Sequence, residues 1–318
     1  MRKIASIISI ACFLLAVSTG CKKQADFLAD AGSGSAEAVG FGEDNSSATS
    51  VTVEASTAQL DQPINVYLSS TKTYGSAISV TIDTSSAVVD DYNTANGTAY
   101  EVMPSDVYTL PTGVSIPSNS KEGPANIKVD IQALLGYGTA FALGVKITQV
   151  SGGPGNIMIE HSKHVLVVQV KNKWDGRYMM TGTMVDVTNA ALTGPYPFEV
   201  NLETNDGTSV IMFNSKGSGS FQDYYHPILS SGAASVYGAF DPIFIIDPAT
   251  GKITDVVNAY GQPASNSRYA GLDPTGLNQV NADGSIDVKY FMYQPSVVTT
   301  APYIRTTFDE HFEYLGPR

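Results

Sequence analysis

The residues best suited to chemistry form one short row near the end of the chain, where Asp309, His311 and Glu313 occur at every second position. In an extended strand these side chains would all point to the same face. Two carboxylates and an imidazole on one face could bind a metal ion or transfer a proton. A solvated polar face of a strand has the same pattern, and we prefer this interpretation.

Other motifs for catalysis or metal binding are missing from the sequence. His161 and His164 are three residues apart, which places them on opposite faces of a strand and makes them a poor metal pair. The chain has no nucleophile elbow, no phosphate-binding loop with lysine and no His-Glu-x-x-His motif. We therefore predict no catalytic residue, no metal and no cofactor. Carboxylate pairs of glycoside hydrolases follow no spacing rule, so a hydrolase stays an alternative.

Sugar binding is better supported, by aromatic and planar polar side chains in residues 258–283. This is the longest stretch of the second half without a strand pattern, and loops of that length are usually functional or disordered. The flat rings could stack on sugar CH faces, and the amide and guanidinium groups could bond to hydroxyls. The candidate ligand-binding residues are Tyr260, Asn266, Arg268 and Tyr269. The alternative is a tolerated insertion with solvated side chains.

A second group of tyrosines, in residues 221–227, is predicted to form the other side of the same site. If this segment is a strand, Tyr224 and Tyr225 face opposite ways and one ring must meet solvent or ligand. Pro227 cannot donate a ladder hydrogen bond, which favours a rim or edge. Tyrosines are abundant in this chain, so simple packing is the competing interpretation. Trp174, the only tryptophan, is either a packing anchor between domains or a sugar-stacking platform.

The start of the chain is predicted to be a lipoprotein signal peptide, residues 1–20. Arg2 and Lys3 precede an apolar run too short to span a bilayer, and small residues lead directly to Cys21. Cys21 would then be acylated and become the lipid anchor. Cys12 lies in the cleaved segment, which leaves no second thiol for a disulfide. The alternative is an ordinary secretory peptide followed by a chance cysteine.

The charge of the chain argues against nucleic acid as a partner. The chain has 18 Lys and Arg against 30 Asp and Glu; without Arg2 and Lys3, 16 remain against 30, a net charge of −14. Such a surface repels phosphate backbones and anionic lipid headgroups. Membrane association would therefore depend on the lipid at Cys21.

The elements that position these residues are predicted to be strands, in an all-β fold of two domains. Residues 21–50 are poor in apolar side chains and are predicted to be a flexible tether. Short alternating strands and one helix near 86–97 favour an immunoglobulin-like β-sandwich at 51–172. Residues 173–318 contain longer strands joined by turns at 205–207, 248–251 and 282–284. This pattern favours an antiparallel meander, closed as a calycin-like barrel or flattened as a sandwich.

Several segments of the first domain resemble a known bacterial domain family of unknown function: 90–100 (DDYNTANGTAY), 108–110, 114–116, 142–147 and 165–170. That family is an immunoglobulin-like or Calx-β-like sandwich at the N-terminus of lipoproteins from polysaccharide-utilisation loci. The two ends of residues 173–318 are similar to the calycin-like domain that commonly follows it. The resemblance implies a two-domain lipoprotein and brings no catalytic residue with it.

Together these features predict a non-catalytic, membrane-anchored lipoprotein that binds glycan for polysaccharide capture. The expected location is the outer membrane, on the cell-surface side, with outer-membrane glycan-uptake proteins as partners. Two alternatives remain: a glycoside-processing enzyme or its accessory, and a structural or adhesive lipoprotein that pairs through sheet edges.

Overall fold

The computed structural model describes residues 37–217 and 222–318. The predicted signal peptide, Cys21 and the first part of the predicted tether lie outside the described residues. Contacts between residues divide the chain into two compact units. The first, here called the sandwich unit, runs to Val53 and from Thr57 to Gln169; the second, the barrel unit, comprises Glu54–Ser56 and Val170–Arg318. The seam predicted at 172/173 is close to this division.

The described part of the first unit is built almost entirely from short strands. In chain order these are β1 (Ala38–Phe41), β2 (Ala48–Glu54), β3 (Gln59–Pro63), β4 (Val66–Ser69), β5 (Ile78–Thr84), β6 (Glu101–Val102), β7 (Tyr108–Thr109), β8 (Gly113–Ile116), β9 (Glu122–Gly123), β10 (Asn126–Asp130), β11 (Ala140–Ser151) and β12 (Lys163–Lys171). The helical segments are α1 (Ser86–Asn96), α2 (Ile131–Leu135) and a 3-10 turn at Ile159–His161.

The strands of the sandwich unit form one large and two small sheets. The large sheet has the order β2-β12-β11-β5-β8, with β6 parallel to β11. The small sheets are β1-β4-β9 and β3-β10-β7. Helix α1 packs Val88 and Val89 against Val165 and Val167 of β12. It ends where Gly97 adopts a left-handed conformation (φ 64°), as the predicted helix stop requires.

The barrel unit contains longer strands and a separate small hairpin sheet. Its strands are β13 (Gly176–Asp186), β14 (Leu192–Thr193), β15 (Phe198–Asp206), β16 (Ser209–Phe213), β17 (Pro227–Ser230), β18 (Ala233–Val236), β19 (Pro242–Ile246), β20 (Ile253–Asn258), β21 (Tyr269–Leu272), β22 (Gln279–Val280), β23 (Ile286–Tyr293) and β24 (Ile304–Gly316). The small sheet has the order β14-β17-β18.

The other nine strands form an up-and-down meander that is nearly closed. Their order is β20-β19-β16-β15-β13-β24-β23-β21, with β22 also paired to β23, so the first and last long strands of the unit are neighbours. The remaining gap is bridged between Lys252 and Gln279. There the Val280 N–H donates to the Gly251 carbonyl at 2.8 Å. The predicted all-β fold is confirmed, and the second unit is the barrel of the two predicted alternatives.

The core of the barrel follows the alternation predicted from the sequence. On β23, Ile286, Val288, Tyr290 and Met292 are all buried. On β24, Phe308 and Phe312 are buried, whereas Tyr314 is 42% exposed and departs from the predicted inward row. The predicted turns join antiparallel neighbours in each case, β15 to β16, β19 to β20 and β22 to β23.

Four predictions about elements are wrong. The tether was predicted to reach residue 50, but Ala38–Phe41 is a buried strand paired with β4. One strand was predicted from 236 to 247, whereas β18 and β19 are separate because the chain turns between them. Residues 258–283, predicted to lack strands, contain β21 and β22. A strand near Phe221 is also not found in the residues that follow it, since 222–225 are bends; Phe221 itself lies outside the described residues.

Candidate functional site

Three aromatic rings lie side by side on the outer face of the barrel, and we call them the outer aromatic patch: Tyr269, Phe291 and Tyr293. Strands β21 and β23 pair so that Tyr269 is opposite Tyr293. These two rings are stacked, with centroids 4.5 Å apart and planes 8° apart. Phe291 meets Tyr293 edge to face at 5.8 Å. All three side chains are partly exposed, so the patch presents flat ring surface to solvent on a rigid sheet.

Polar groups continue the same sheet face beside the patch. Lys289 and Asp309 are register partners on β23 and β24, and Asp287 is opposite His311. The Lys289 ammonium is 3.3 Å from Asp273, and His311 Nδ1 is 2.8 Å from Asp287. The predicted row of Asp309, His311 and Glu313 therefore belongs to this outer face. It offers hydrogen-bond donors and acceptors next to the rings.

A second aromatic group, the tyrosine cluster, consists of Tyr224, Tyr225 and Tyr260. The rings of Tyr225 and Tyr260 are parallel within 2°, with centroids 5.4 Å apart. The Tyr260 hydroxyl donates to the Tyr224 carbonyl at 2.9 Å, and the Tyr224 hydroxyl donates to Glu203 at 2.8 Å. Burial raises the pKa of Tyr224, and the charge of Glu203 raises it further. The two segments predicted to flank one site thus meet here.

Tyr224 and Tyr225 were predicted to lie on opposite faces of a strand, but residues 222–225 form bends and no strand. The Tyr224 N–H donates to the Asp223 carboxylate at 2.8 Å, and the Tyr225 N–H donates to the Asp223 carbonyl at 3.0 Å. These local bonds hold a bend in place of a ladder. Both tyrosines are partly buried.

Asn266 and Arg268 bond mainly to the protein itself. The Asn266 amide donates to the Gly238 carbonyl at 3.1 Å, and Arg268 Nη1 donates to the same oxygen. Arg268 Nε donates to Gln294 at 3.2 Å, and its guanidinium carbon is 5.3 Å from the centre of the Tyr237 ring. These bonds fasten the loop before β21 to its neighbours and leave Tyr260 and Tyr269 in separate aromatic groups.

Trp174 is not a sugar-stacking platform, and that prediction is wrong. The side chain is only 4% exposed and belongs to the core cluster of the barrel. The backbone N–H of Trp174 donates to Asn172 Oδ1, and the backbone carbonyl of Trp174 accepts from the Tyr178 hydroxyl at 3.0 Å. The indole therefore anchors the beginning of the barrel unit, where its large apolar ring is shielded from solvent.

A buried polar cluster inside the barrel was missed by sequence reasoning. Glu310 accepts hydrogen bonds from Tyr196 (2.6 Å) and Tyr290 (2.8 Å), and His226 Nε2 is 3.0 Å from the same carboxylate. His226 and Glu310 side chains are both fully buried. Glu310 has the same parity on β24 as the buried Phe308 and Phe312, and this could have marked it as an inward-facing acid.

The sandwich unit also contains a cleft of about 240 Å³ that the sequence did not predict. Residues from three distant segments line it, including Phe41, Glu43, Gln62, Tyr67 and His164. The Thr49 hydroxyl donates to Glu43 at 3.0 Å, and His164 Nδ1 is 3.5 Å from the same carboxylate. Phe41, Glu43 and Thr49 of its lining lie within residues 21–50, which were predicted to be a flexible tether.

Residues 37–217 and 222–318 contain no helix that is long and apolar enough to cross a bilayer. Nor does any group of three His, Cys, Asp or Glu side chains in these ranges come together so as to enclose a metal ion.

Comparison with known proteins identifies a family match for part of the chain and a solved structure of the same fold. A family model described as a "-like, N-terminal domain" matches residues 35–154. No curated protein matches. A protein of unknown function from Bacteroides ovatus, known from its crystal structure, is 11% identical in sequence. The match has a TM-score of 0.52 and covers 88% of this chain and 95% of that one. An auxiliary nutrient binding protein from Bacteroides thetaiotaomicron is 13% identical over 84% of this chain and 91% of that one, with a TM-score of 0.39. The chain thus shares its fold with the Bacteroides ovatus protein.

Proposed function

We propose that this chain is a non-catalytic, lipid-anchored protein that binds glycan through the outer aromatic patch. The observation that carries the proposal is the pair of partly exposed, stacked rings of Tyr269 and Tyr293, flanked by Phe291. Flat, partly exposed rings on a sheet offer apolar surface on which the CH face of a sugar can stack. Because the rings are on paired strands and not on loops, they are held in position before the ligand arrives.

The polar neighbours of the patch support the same class of ligand. Sugar hydroxyls need both donors and acceptors, and Lys289 and Asp309 supply one of each on the same sheet face. A purely apolar partner would leave these charges buried without compensation. Neutral glycan therefore suits the surface better than an apolar protein face.

The decisive experiment is a broad glycan array followed by calorimetric titration of each retained oligosaccharide. Replacement of Tyr269 or Tyr293 by Ala is expected to weaken binding at least about tenfold, or about 1.4 kcal/mol, because a central stacking ring is lost. The matched control is Tyr137→Ala, which removes a 54% exposed tyrosine of the sandwich unit and should leave affinity unchanged. Absence of any retained glycan, or full affinity of Tyr269→Ala, would refute the proposal.

The tyrosine cluster is a second candidate surface and is tested separately. Tyr225→Ala removes one ring of the parallel pair with Tyr260, and Tyr224→Ala removes the hydroxyl bonded to Glu203. We expect Tyr224→Ala to lower the melting temperature and Tyr225→Ala to lower affinity. If both variants lose stability alone, the cluster packs the fold and binds no sugar.

The absence of catalysis is tested on the same glycans. Any oligosaccharide that binds is incubated with the protein, and its products are followed by chromatography. Turnover that is abolished by replacing a buried carboxylate such as Glu310 would favour the glycosidase alternative. Oligomers formed without sugar affinity would favour the structural or adhesive alternative.

A further inference from the structure

One carboxylate in the barrel unit has no visible compensation for its burial. Asp241 lies directly before β19 and has no exposed surface. Neither of its two carboxylate oxygens has a hydrogen-bond partner within residues 37–217 and 222–318. A buried carboxylate without a partner costs several kcal/mol, so such groups are normally paired, protonated or bound to a metal ion.

The charges around Asp241 make its burial less favourable still. Burial raises the pKa of Asp241 well above its ordinary value, and the carboxylates of Asp223 and Glu203 raise it further. Among the described residues, no Lys, Arg or His forms an ion pair with Asp241; Arg318 pairs instead with Glu203 and Asp175. Asp241 is therefore subject to the charge of two other acids and has no cation as a partner.

A proton alone does not resolve this arrangement. A protonated carboxyl group must donate its hydrogen to an acceptor, and neither Asp241 oxygen has a partner of either kind. The backbone cannot move the carboxylate away easily, because the Asp241 N–H donates to Asn258 at 3.1 Å and its carbonyl accepts from Ala259 at 3.0 Å. The carboxylate is thus held where it is without a partner.

The surroundings are rich in oxygen atoms. Asn258 Oδ1 accepts from the Asp241 N–H at 3.1 Å and from the Tyr260 N–H at 3.3 Å, and the Tyr260 hydroxyl donates to the Tyr224 carbonyl at 2.9 Å. Asp241 therefore lies next to the tyrosine cluster. In agreement, its charge raises the pKa of Tyr224 and Tyr260, after the larger effect of burial. Ser215 has a buried hydroxyl without a hydrogen-bond partner among the described residues, and the N–H of its neighbour Asn214 donates to the Asp223 carbonyl at 3.1 Å. Oxygen ligands of this kind suit hard cations such as calcium.

We propose that Asp241 is the buried ligand of a calcium site beneath the tyrosine cluster, with Asp223 as the second carboxylate. Calcium does not need three acidic or histidine side chains, because hydroxyl, carbonyl and water oxygens complete its six to eight ligands. The cation would supply the missing positive charge and would hold the 222–225 segment against the barrel. This site goes beyond glycan binding and does not depend on it.

The test uses the full chain, freed of divalent ions with a chelator, and terbium as a luminescent calcium probe. Excitation of the nearby tyrosines should sensitise bound terbium, and calcium should compete for the site. Asp241→Asn, which is isosteric and neutral, should weaken terbium and calcium binding about tenfold or more. Calcium should also raise the melting temperature of the unsubstituted protein by about 5 °C or more at saturation.

The matched control is Asp255→Asn, which replaces an exposed acid of the same unit on β20 and should bind like the unsubstituted protein. Asp223→Asn should weaken binding with little change in the metal-free melting temperature, and it keeps the test valid should Asp241→Asn not fold. No sensitised emission and no thermal shift at about 1 mM calcium, the weak end for extracellular sites, would overturn the proposal. Equal binding by Asp241→Asn would do so as well.

Discussion

Glu310 is an acidic residue buried in the interior of the barrel, where three side chains contact its carboxyl group. Two tyrosine hydroxyls donate to it, and His226 Nε2 lies 3.0 Å away. His226 Nδ1 is 2.8 Å from the Pro227 carbonyl, which can only accept. Both ring nitrogens therefore face oxygen atoms that can accept a hydrogen bond. His226 and Glu310 form a buried pair in which each ring nitrogen and each carboxylate oxygen has a partner.

Glu310→Gln is expected to lower the free energy of unfolding by about 3 to 5 kcal/mol, because it breaks a buried pair and leaves His226 without the carboxylate that it contacts. Urea denaturation measures this change. Asp309→Asn is the control, because the Asp309 side chain is next to Glu310 in the chain but is exposed on the outer face of the strand. This substitution should change the free energy of unfolding by no more than about 0.5 kcal/mol. Equal effects of the two substitutions would show that the buried pair contributes nothing specific.

At the scale of elements, the contact between β13 and β24 completes the meander and depends on one glycine. Gly182 is opposite Glu310 and has φ 145°, where a side chain is strained. A Cβ there would lie 2.2 Å from the Asp309 carbonyl oxygen, which is part of the backbone and cannot turn aside. The close approach of the two strands therefore requires the absence of a side chain.

Gly182→Ala should cost more than about 2 kcal/mol of stability, because it adds a backbone clash to an unfavourable φ. Chemical denaturation followed by circular dichroism measures the loss. Gly238→Ala serves as control, since a Cβ at Gly238 would have open space around it. A fully stable Gly182→Ala would mean that β13 and β24 are further apart than described.

The same pair of strands is joined at its other end by Asp186 and Arg305. The Asp186 carboxylate accepts from Tyr237 (2.7 Å), Thr188 (2.7 Å) and Arg305 Nε (2.9 Å). Burial alone would raise the pKa of Asp186, but the hydrogen bonds from Tyr237 and Thr188 and the charge of Arg305 outweigh it and lower that pKa. The end of β13 is thereby tied to the start of β24.

Because its pKa is lower in the folded than in the unfolded chain, Asp186 stabilises the fold above the ordinary aspartate pKa of about 4. This contribution is lost as the pH falls through the lower folded value. Unfolding by urea at pH 7 and pH 3 should therefore show a smaller pH difference for Asp186→Asn than for the unsubstituted protein. Asp255→Asn should keep the full difference, and an unchanged difference in Asp186→Asn would contradict the assignment.

Sequence patterns predicted the elements whose pattern was complete. Strand β23 was predicted with the observed bounds because buried and outward residues alternate over its whole length. Strand β3 was missed because Gln59–Pro63 has no buried residue at all. Strand β1 was missed for the opposite reason. Its four residues are all buried, so they do not alternate, and the sequence on both sides of them is polar.

The candidate site could be predicted only in part, because it depends on register. Tyr269 was identified from the composition of its segment, but its stacking partner Tyr293 is on another strand. No sequence pattern gives the register that places them opposite each other. Asn266 and Arg268 suited sugar by residue type, yet the fold bonds them to Gly238. Residue type indicates chemistry, and only the fold decides which groups are free to use it.

At the scale of the whole molecule, the acidic charge and the proposed anchor act in opposite directions. A net charge of −14 without the signal region disfavours contact with anionic membrane surfaces. Attachment to the outer membrane, as proposed, therefore has to come from lipid, and each buried CH₂ of an acyl chain contributes about 0.8 kcal/mol. The two cysteines of the sequence make this testable, because only Cys21 directly follows the small residues that end the predicted signal peptide.

The last prediction is that Cys21→Ala abolishes membrane attachment whereas Cys12→Ala leaves it intact. Cells fed an alkyne-tagged fatty acid should label the unsubstituted protein and Cys12→Ala, since Cys12 lies in the predicted signal peptide, which would be removed. Cys21→Ala should carry no label, and protease treatment of whole cells should degrade the labelled forms if they are on the cell surface. Labelling of Cys21→Ala would contradict the anchor, and complete protection from protease would place the attached protein on the periplasmic side.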